Sequence, residues 1–311
     1  LGKPEHLKNP SLVTIRKFYD TYYVPNNMVV ILAGDIDMSE TIKLVDKYFG
    51  DMVPKKVPKF KFEPEDEITK PEEVLVYSPD EEMLAFGFRF PNTNDKEAVL
   101  ADLVANILYN GKSGLIDKNL VKAQKVLEAN GFNYLLSDYG IMGFTGKPLE
   151  GQTLTQLKDL ILAEIEGLKK GNFDQDLIKA TVNNLKVTRI REQESPMNVA
   201  FVFNDLFVTK THWADYLKKM DDMGKITKDE VVAFANKWFK NNYVAVYKLT
   251  GTDPENKKVD KPEITSIEIN RTGTSSLFKD ITESPNKPLA PVFLDFKKDI
   301  KFGSIHKDVP V

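Results

Sequence analysis

The hydrophobic pattern of the first 50 residues predicts a helix, a strand and a second helix. Leu12 to Tyr22 carries apolar residues at helical spacing, and Pro25 ends that helix because proline cannot continue it. Asn26-Asn27 then turns the chain, and residues 28–33 form an uninterrupted apolar run. Such a run is typical of a strand that is buried on both faces.

The pattern from Glu72 onward predicts a larger unit in which pairs of strands alternate with helices. Its predicted elements are, in order, strands at 74–77 and 83–90, helices at 97–109 and 120–130, strands at 132–137 and 141–147, several helices from 153 onward, and a strand at 244–249. Gly131 follows the second helix, where glycine commonly stands. This order is typical of an antiparallel sheet covered by helices on one side, so the sequence predicts an α+β fold. We expect residues 244–249 to return to the same sheet as 74–77.

A short repeat connects the two ends of this region. Residues 237–242 lead into a strand and Gly251, just as residues 22–27 lead into the apolar run 28–33 and Gly34. Each copy combines a helix with aromatic residues at its end, an Asn-Asn turn, an apolar strand and a glycine, at an offset of about 215 residues. Chance similarity between two ordinary helix–strand junctions is the alternative. If the repeat reflects a duplication, a large part of the first copy should lie before Leu1.

Composition and charge exclude several classes of protein. The 311 residues include 43 basic and 46 acidic side chains, a formal net charge of −3, so the chain has no electrostatic footprint for nucleic acid or an anionic membrane. It has no cysteine, which rules out disulfides and thiolate metal sites within it. We find no apolar run near the roughly 18 residues expected of a membrane span. These features suit a bacterial periplasm and a cytoplasm equally.

The segment FYDTYYVPNNMVVILAGDID, from Phe18 to Asp37, and the preceding GKPEHLKNPSL resemble the insulinase-type (M16, pitrilysin-like) zinc metallopeptidases. In that family this segment ends the first of several similar α+β domains, downstream of the zinc site. The resemblance implies that residues 1–50 are the carboxyl-terminal tail of a first domain, 51–71 a linker, 72–250 a second, inactive domain, and 251–311 an extended connector toward a following domain. The first copy of the duplicated domain would then be truncated in this chain.

The zinc chemistry of that family depends on the motif His-x-x-Glu-His, in which two histidines on one helix hold the metal and the glutamate activates water. This chain has three histidines, His6, His212 and His306, and no two are close in sequence. Glu5-His6 is the single Glu-His pair, and it lies in a loop that contains a proline. We therefore expect no catalytic residue, metal ligand or cofactor in this chain. The resemblance implies zinc only for the parent protein.

The resemblance also implies one functional surface. In insulinase-like enzymes the second domain helps to enclose the substrate chamber, and an edge strand of it can pair with an extended peptide away from the zinc. By order along the chain, that strand corresponds to Phe132, Asn133, Tyr134, Leu135, Leu136 and Ser137. The alternative is that this segment is an internal strand of the sheet, which would leave no edge for a peptide.

Two functions are compatible with this resemblance. The first is a non-catalytic portion of a zinc-dependent endopeptidase, whose partners are peptide substrates and the remaining M16 domains of the same protein. The second is a catalytically inactive M16-like structural or partner subunit. Residues 110–113, Asn-Gly-Lys-Ser, also resemble a phosphate-binding loop. That motif lacks its first glycine and follows a predicted helix where a strand is required, which argues against nucleotide binding.

Overall fold

The computed structural model divides the chain into two compact units, Leu1–Val259 and Asp260–Val311. Each unit is described by itself. The residues that the structure describes are 6–7, 10–253, 263, 265–285, 290–295, 298–299, 304–306 and 309–310.

The first unit begins with two helices and continues with a sheet and its covering helices. The two leading helices are α1 (Leu12–Tyr22) and α2 (Met38–Phe49), with a 3-10 turn at Pro25–Asn27 between them. The elements that follow are β1 (Glu72–Ser78), β2 (Met83–Phe90), α3 (Ala98–Leu108), a π-helical turn (Asp117–Val121), β3 (Glu128–Leu135), β4 (Gly140–Lys147), α4 (Leu154–Lys169), α5 (Gln175–Gln193), α6 (Pro196–Thr209), α7 (Trp213–Met223), α8 (Lys228–Trp238) and β5 (Tyr243–Thr250).

The five strands form one sheet in the order β1-β5-β2-β4-β3. β2 pairs antiparallel with β4 and β5, and β3 pairs antiparallel with β4, whereas β1 runs parallel to β5. Val74 lies opposite Val246, and the prediction that the last strand returns to the first is confirmed. Because β5 enters between β1 and β2, the strands β1 and β3 form the two edges of the sheet.

The helices cover one face of the sheet, which confirms the predicted α+β architecture. Strand β2 shows the alternation expected of a sheet with one covered face, since every second residue from Leu84 to Phe90 is buried. Leu103 and Leu108 of α3 are fully buried, and Val99 is partly buried against the same core. The core joins this face to α3, α4 and α8, and its largest fully buried side chains include Phe88, Phe90, Phe144, Phe234 and Phe239.

The opposite face of the sheet is partly exposed and mainly apolar. Val74, Ile141 and Phe132 lie on it and are each 45–49% exposed. The Phe132 ring lies over Gly143, its partner on β4, and a Cβ built on that glycine would be 2.3 Å from the ring Cζ. Glycine at position 143 therefore gives the aromatic ring room to lie flat on the sheet.

The predicted buried strand at residues 28–33 is wrong for this structure. The segment is extended but belongs to no strand, and no described residue pairs with it. Its larger side chains are half-exposed, with Met28 at 37%, Val29 at 44%, Val30 at 42% and Leu32 at 54%. A strand buried on both faces needs neighbours that satisfy its N–H and C=O groups. The apolar run alone does not provide them.

The helix predicted over residues 120–130 is also wrong. The π-helical turn ends at Val121, and β3 already begins at Glu128. Gly131 lies inside that strand, where a Cβ would be 2.9 Å from Cβ of Tyr109. The glycine therefore reflects close packing against the end of α3. Apolar spacing over a short segment does not distinguish a helix from a strand.

A charged cluster attaches the edge strand β1 to α4. The side chain of Lys158 is 8% exposed, and its ammonium donates hydrogen bonds to Glu73 Oε1 and to Tyr247 Oη, each at 2.6 Å. Tyr247 donates to the same Glu73 oxygen at 2.9 Å. Burial opposes the charged ammonium, but these two hydrogen bonds hold the pKa of Lys158 above its usual range. The hydrogen bonds from Lys158 and Tyr247 lower the pKa of the Glu73 carboxyl.

The second unit contains a short helix and a strand ribbon. The helix α9 (Ser276–Glu283) is capped by Ser275, whose hydroxyl accepts from the N–H of Phe278. The strands β6 (Ser304–His306) and β7 (Val309–Pro310) pair antiparallel. Within the described part of the chain, no helix is both long and apolar enough to cross a membrane.

We predict that Glu73→Gln destabilises the fold at neutral pH. The substitution leaves the buried Lys158 ammonium without its anionic partner, and because Glu73 is half-exposed, water limits the loss to about 1 kcal/mol. The ionised carboxylate stabilises the fold above the unfolded-state pKa of about 4.3. That stabilisation is lost as the pH falls through the lower pKa of the folded state. Urea unfolding at pH 7 and pH 3 should therefore show a difference between wild type and variant that shrinks in acid.

Glu72→Gln is the matched control for this prediction. The side chain of Glu72 is exposed on the same strand and makes no hydrogen bond or ion pair with any described residue. It should change the unfolding midpoint little at either pH. Equal effects of the two substitutions would contradict a specific role for the Lys158 cluster.

Candidate functional site

The predicted peptide-docking segment lies at an edge of the sheet. β3 pairs with β4 on one side, and within the described ranges no strand pairs with its other side. Phe132, Asn133, Tyr134 and Leu135 belong to the strand, whereas Leu136 and Ser137 lie in the turn after it. The structure therefore places the segment at an edge and not inside the sheet.

The hydrogen-bond register identifies which backbone groups face the open edge. The N–H of Leu136 donates to the carbonyl of Tyr139, its direct partner, at 3.0 Å. In an antiparallel ladder, directly opposed pairs alternate between hydrogen-bonded and non-hydrogen-bonded. Counting back by twos from Leu136, the even-numbered residues of β3 are the ones whose backbone N–H and C=O groups make hydrogen bonds with β4. The N–H and C=O groups of Gly131, Asn133 and Leu135 therefore point away from the sheet.

The side chains of β3 point to two different environments. The Asn133 side chain points toward α3, where its Nδ2 donates to Asp102 Oδ1 at 3.0 Å. Phe132 and Tyr134 point to the open face and are 49% and 62% exposed. The strand thus presents aromatic rings on one face and a polar anchor on the other.

A cleft of about 660 Å³ runs beside this open edge. We call it the β3 cleft. Residues 133–136 form one of its walls, and residues 93–96, the start of α3, the end of α6 and one side of α7 form the others. Tyr216 gives the α7 wall an aromatic surface, and the Arg189 guanidinium lies over that ring at 3.9 Å from its centroid. The lining includes the acidic residues Asp95, Asp102, Asp205, Asp215 and Asp222 and the basic residues Lys96, Lys210, Lys218 and Lys219.

A single carboxylate joins three walls of the β3 cleft. Asp102 on α3 forms an ion pair with Lys219 on α7, with Nζ and Oδ2 2.6 Å apart. Its other oxygen accepts the hydrogen bond from Asn133 on β3. The side chain of Asp102 is 19% exposed, so the pair is shielded from water more than a surface ion pair would be. This arrangement fixes the position of α7 relative to the strand.

Sequence reasoning missed the helical walls of this cleft. His212, Tyr216 and Lys219 stand at positions common on any partly exposed helix, and they are far from β3 in sequence. No local motif marks them. Only the folded arrangement brings them beside residues 133–136.

The segment that resembles a phosphate loop has a structural role. Asp117 is 4% exposed, and its Oδ2 accepts from the N–H groups of Asn110 and Gly114 at 2.9 and 3.0 Å. The side chain of Asn110 accepts from the N–H groups of Lys112 and Ser113. Protein oxygens thus already occupy the amides that a phosphate would need. The buried carboxylate would also repel an anion.

The three histidines are divided between the two units, with His6 and His212 in the first and His306 in the second. His6 is exposed near the start of the chain, and His212 precedes α7 at the β3 cleft. Glu5 lies outside the described residues. Among the residues that are described, no group of three or more His, Asp or Glu side chains is arranged to hold a metal ion.

Comparison with known families decides the relationship. The model of the Peptidase M16 inactive domain matches residues 11–185 of this chain. This chain belongs to the M16 inactive-domain family. The matched region contains α1, α2, all of β3 and the β3-side wall of the cleft, so the resemblance seen in the sequence is confirmed.

A curated relative and several solved structures are similar to this M16 chain. The zinc protease PqqE of Helicobacter pylori is 27% identical over 248 residues, which cover 78% of this chain and 55% of the relative. A solved protease from Helicobacter pylori matches with a TM-score of 0.74 at 25% identity, covering 79% of this chain and 61% of that one. The M16 inactive domain of Pseudomonas fluorescens has a TM-score of 0.67 at 15% identity, covering 81% and 60%, and supports the fold alone. This chain spans about half the length of the curated relative.

We predict that Asp102→Asn loosens the β3 cleft. The substitution removes the charge that pairs with Lys219, whose side chain is 35% exposed, so water limits the cost to about 1 kcal/mol. The melting temperature should fall by a few degrees. Amide exchange in α7 should rise more than amide exchange in α4.

Asp215→Asn provides the control for this substitution. Asp215 lines the same cleft from α7, and its side chain has no hydrogen-bond or ion-pair partner among the described residues. Its loss should change the melting temperature and the exchange of α7 less than Asp102→Asn does, because this carboxylate interacts only with the amino-terminal end of α7. If Asp102→Asn behaved in the same way, the proposed fixing of α7 by Asp102 would be wrong.

Proposed function

We propose that this chain is a non-catalytic portion of a zinc-dependent M16 metalloendopeptidase and that it holds extended peptide substrates. The observation that carries this proposal is the open edge of β3 beside a cleft, in a chain of the M16 inactive-domain family. An open edge offers backbone donors and acceptors that an extended peptide can use as a further strand.

The pairing would use the outward groups of Gly131, Asn133 and Leu135. Backbone pairing alone does not select a sequence, because every peptide offers the same N–H and C=O groups. The side chains of a docked peptide would alternate between the two faces of the extended sheet. One set would enter the β3 cleft, and the other would lie near the exposed rings of Phe132 and Tyr134.

Because side chains of both charges line the β3 cleft, it favours binding of peptides of varied sequence over selection of one sequence. Acidic and basic side chains are interspersed along it, so neither sign of charge dominates. Val99, Val208 and Tyr216 add apolar surface. Such a cleft accommodates side chains of different chemistry, which suits a protein that holds unfolded peptides of varied sequence.

In this proposal the catalytic zinc belongs to another M16 domain of the parent protein. The remaining domains and this one would together enclose the peptide. The name of the curated relative, a zinc protease, supports zinc in the parent.

We predict that Asn133→Pro weakens peptide binding more than Asn133→Ala does. Both substitutions remove the hydrogen bond from the side chain to Asp102, but only proline removes the outward N–H. Binding of fluorescein-labelled, unfolded casein, measured by fluorescence anisotropy, should be at least about fivefold weaker for the proline variant, which corresponds to roughly 1 kcal/mol for one hydrogen bond. Circular dichroism should show that both variants keep the fold.

Equal binding by the two variants would sink the docking proposal, provided that both keep the fold. The same holds if Tyr134→Ala and Asn133→Pro leave casein binding at the wild-type level. If Asn133→Ala weakened binding and Asn133→Pro weakened it no further, binding would depend on the hydrogen bond from the Asn133 side chain and not on the open edge.

We also predict that the 311-residue chain by itself neither holds stoichiometric zinc nor cleaves casein. Metal analysis after dialysis against zinc, and a peptidase assay with and without a chelator, test this directly. The same measurements on the complete polypeptide encoded by the gene separate the two candidate functions. Zinc and chelator-sensitive cleavage support the endopeptidase, and the absence of both supports the inactive subunit.

A further inference from the structure

The edge strand β1 lacks the features that usually keep an edge strand from pairing with another chain. Among the described residues, no strand pairs with its outer side. Val74, Leu75, Val76 and Tyr77 are 39–61% exposed, so apolar side chains lie open on both faces of the strand. β1 contains no lysine and no proline, and its pairing with β5 has no bulge. Natural proteins commonly use these devices to protect an edge, and a bare apolar edge is a site for pairing.

The hydrogen bonds of β1 identify which of its backbone groups face outward. The N–H of Gly251 donates to the carbonyl of Ser78 at 2.8 Å, as the parallel register with β5 requires. Backbone groups alternate in direction along a strand, so the even-numbered residues of β1 bond to β5. The N–H and C=O groups of Glu73, Leu75 and Tyr77 therefore point outward. They make no hydrogen bond with any described residue.

The sequence around β1 is symmetric about Leu75. Pro71 and Pro79 flank the strand, each four residues from Leu75. Both stand at odd-numbered positions, where a continuation of β1 would need an outward N–H, and proline has none to donate. An added strand can therefore pair with the three outward residues between the prolines and with no residue beyond them.

We propose that β1 pairs antiparallel with β1 of a second copy of this chain, about a two-fold axis at Leu75. Leu75 then lies opposite the partner's Leu75, and Glu73 lies opposite the partner's Tyr77. Opposed residues whose backbone groups face each other exchange two hydrogen bonds. The three outward residues of each copy thus give three such pairs and about six hydrogen bonds. The two five-stranded sheets join into one sheet, with a β3 edge at each end.

The side chains favour this register over the others. Glu73 contacts Lys158 on the helix-covered face, so Leu75 and Tyr77 lie on that face as well. The two Leu75 side chains meet at the axis, and the Tyr77 hydroxyl can donate to the carboxylate opposite it. An axis at Glu73 would instead place two carboxylates opposite each other, which is destabilising. Every other register also places an outward residue opposite a flanking proline and loses a hydrogen bond.

The occupant is a second copy because the strand is complementary to itself. Its amino end carries two glutamates, and its carboxyl end carries the hydroxyls of Tyr77 and Ser78, so an antiparallel copy brings each acidic end against a hydroxyl end. Six hydrogen bonds lie within the range of about 10 ± 5 that stable interfaces show. Because both copies use the same strand, the pairing closes at two. This interface lies at the edge opposite β3 and does not depend on peptide binding.

Charge substitutions at the axis test the pairing by sedimentation equilibrium of the 311-residue chain. Leu75→Lys and Leu75→Glu each place two like charges opposite each other, and each alone should raise the dimer dissociation constant at least about tenfold. An equimolar mixture of the two variants should recover the dimer, because a lysine then faces a glutamate. Ile190→Lys is the control, since Ile190 on α5 is 63% exposed and Leu75 is 61% exposed. It should leave the dissociation constant unchanged.

Cysteine crosslinking tests the register without disturbing the charge of the interface. The chain has no cysteine, so a single introduced thiol reports a single contact. Opposed hydrogen-bonded residues have Cα atoms about 5.5 Å apart, within the range of about 4.4–6.8 Å that a disulfide spans. Leu75→Cys should therefore crosslink two copies under a mild oxidant. Glu72→Cys should not, because the two copies of residue 72 would lie six residues apart along the strands, at about 20 Å.

Three outcomes would overturn the proposal. The first is an unsubstituted chain that stays monomeric across the concentration series, or a mixture of the two charged variants that recovers no dimer. The second is equal crosslinking of Leu75→Cys and Glu72→Cys, which would show random collision. The third is a complete polypeptide, as encoded by the gene, that sediments as a monomer while the Leu75 amide is protected from exchange. That result would assign the β1 edge to another domain of the same polypeptide.

Discussion

The pairing of β5 with both β1 and β2 is the constraint on which the rest of the first unit depends. β5 is the last strand of the sheet in sequence, yet it occupies an inner position between the first two. Its residues Tyr243, Ala245 and Tyr247 are buried beneath the helices. Tyr247 also takes part in the hydrogen bonds that tie Lys158 to Glu73. One strand thus connects the core, the edge strand β1 and the helix α4.

The inner position of β5 determines which edges are left for other molecules. β1 is one of these edges. It pairs with β5 on its inner side, and its residue Glu73 is held by the Lys158 cluster. β3 is the other edge, and a cleft lies beside it. Open edges expose a protein to unwanted pairing unless something manages them. The helices α6 and α7, which border this cleft, restrict what can approach β3.

The sequence predicts the sheet well where strands alternate strongly or are flanked by turn residues. β2, β4 and β5 and the buried side of α3 follow from periodicity, because the alternation of Leu84, Phe86 and Phe88 has no helical interpretation. The helix predicted over residues 120–130 fails, since the end of a π-helical turn and the start of β3 share the apolar spacing of a helix. The run at 28–33 fails for another reason. Its composition specifies a buried strand, but burial also requires neighbours that the run itself does not contain.

The candidate site is less predictable than the fold. The predicted docking segment rests on a family resemblance, and only the sheet order shows that it lies at an edge. The partners Asp102, Asn133 and Lys219 come from three elements that are distant in sequence, and none of these residue types is unusual on a helix or strand surface. Local sequence patterns do not predict the contacts among these three residues, because the contacts depend on how α7 packs across α3.

The wide separation of β1 from β5 along the chain also affects how this protein folds during its synthesis. β1 begins at Glu72 and pairs in parallel with a strand that begins at Tyr243. During synthesis on the ribosome, β1 and β2 emerge long before the strand that belongs between them. Contacts of such long range form slowly, and the unpaired edges of β1 and β2 stay available for wrong partners in the meantime. The sheet closes only once β5, which ends at Thr250, has left the ribosome and inserted between β1 and β2.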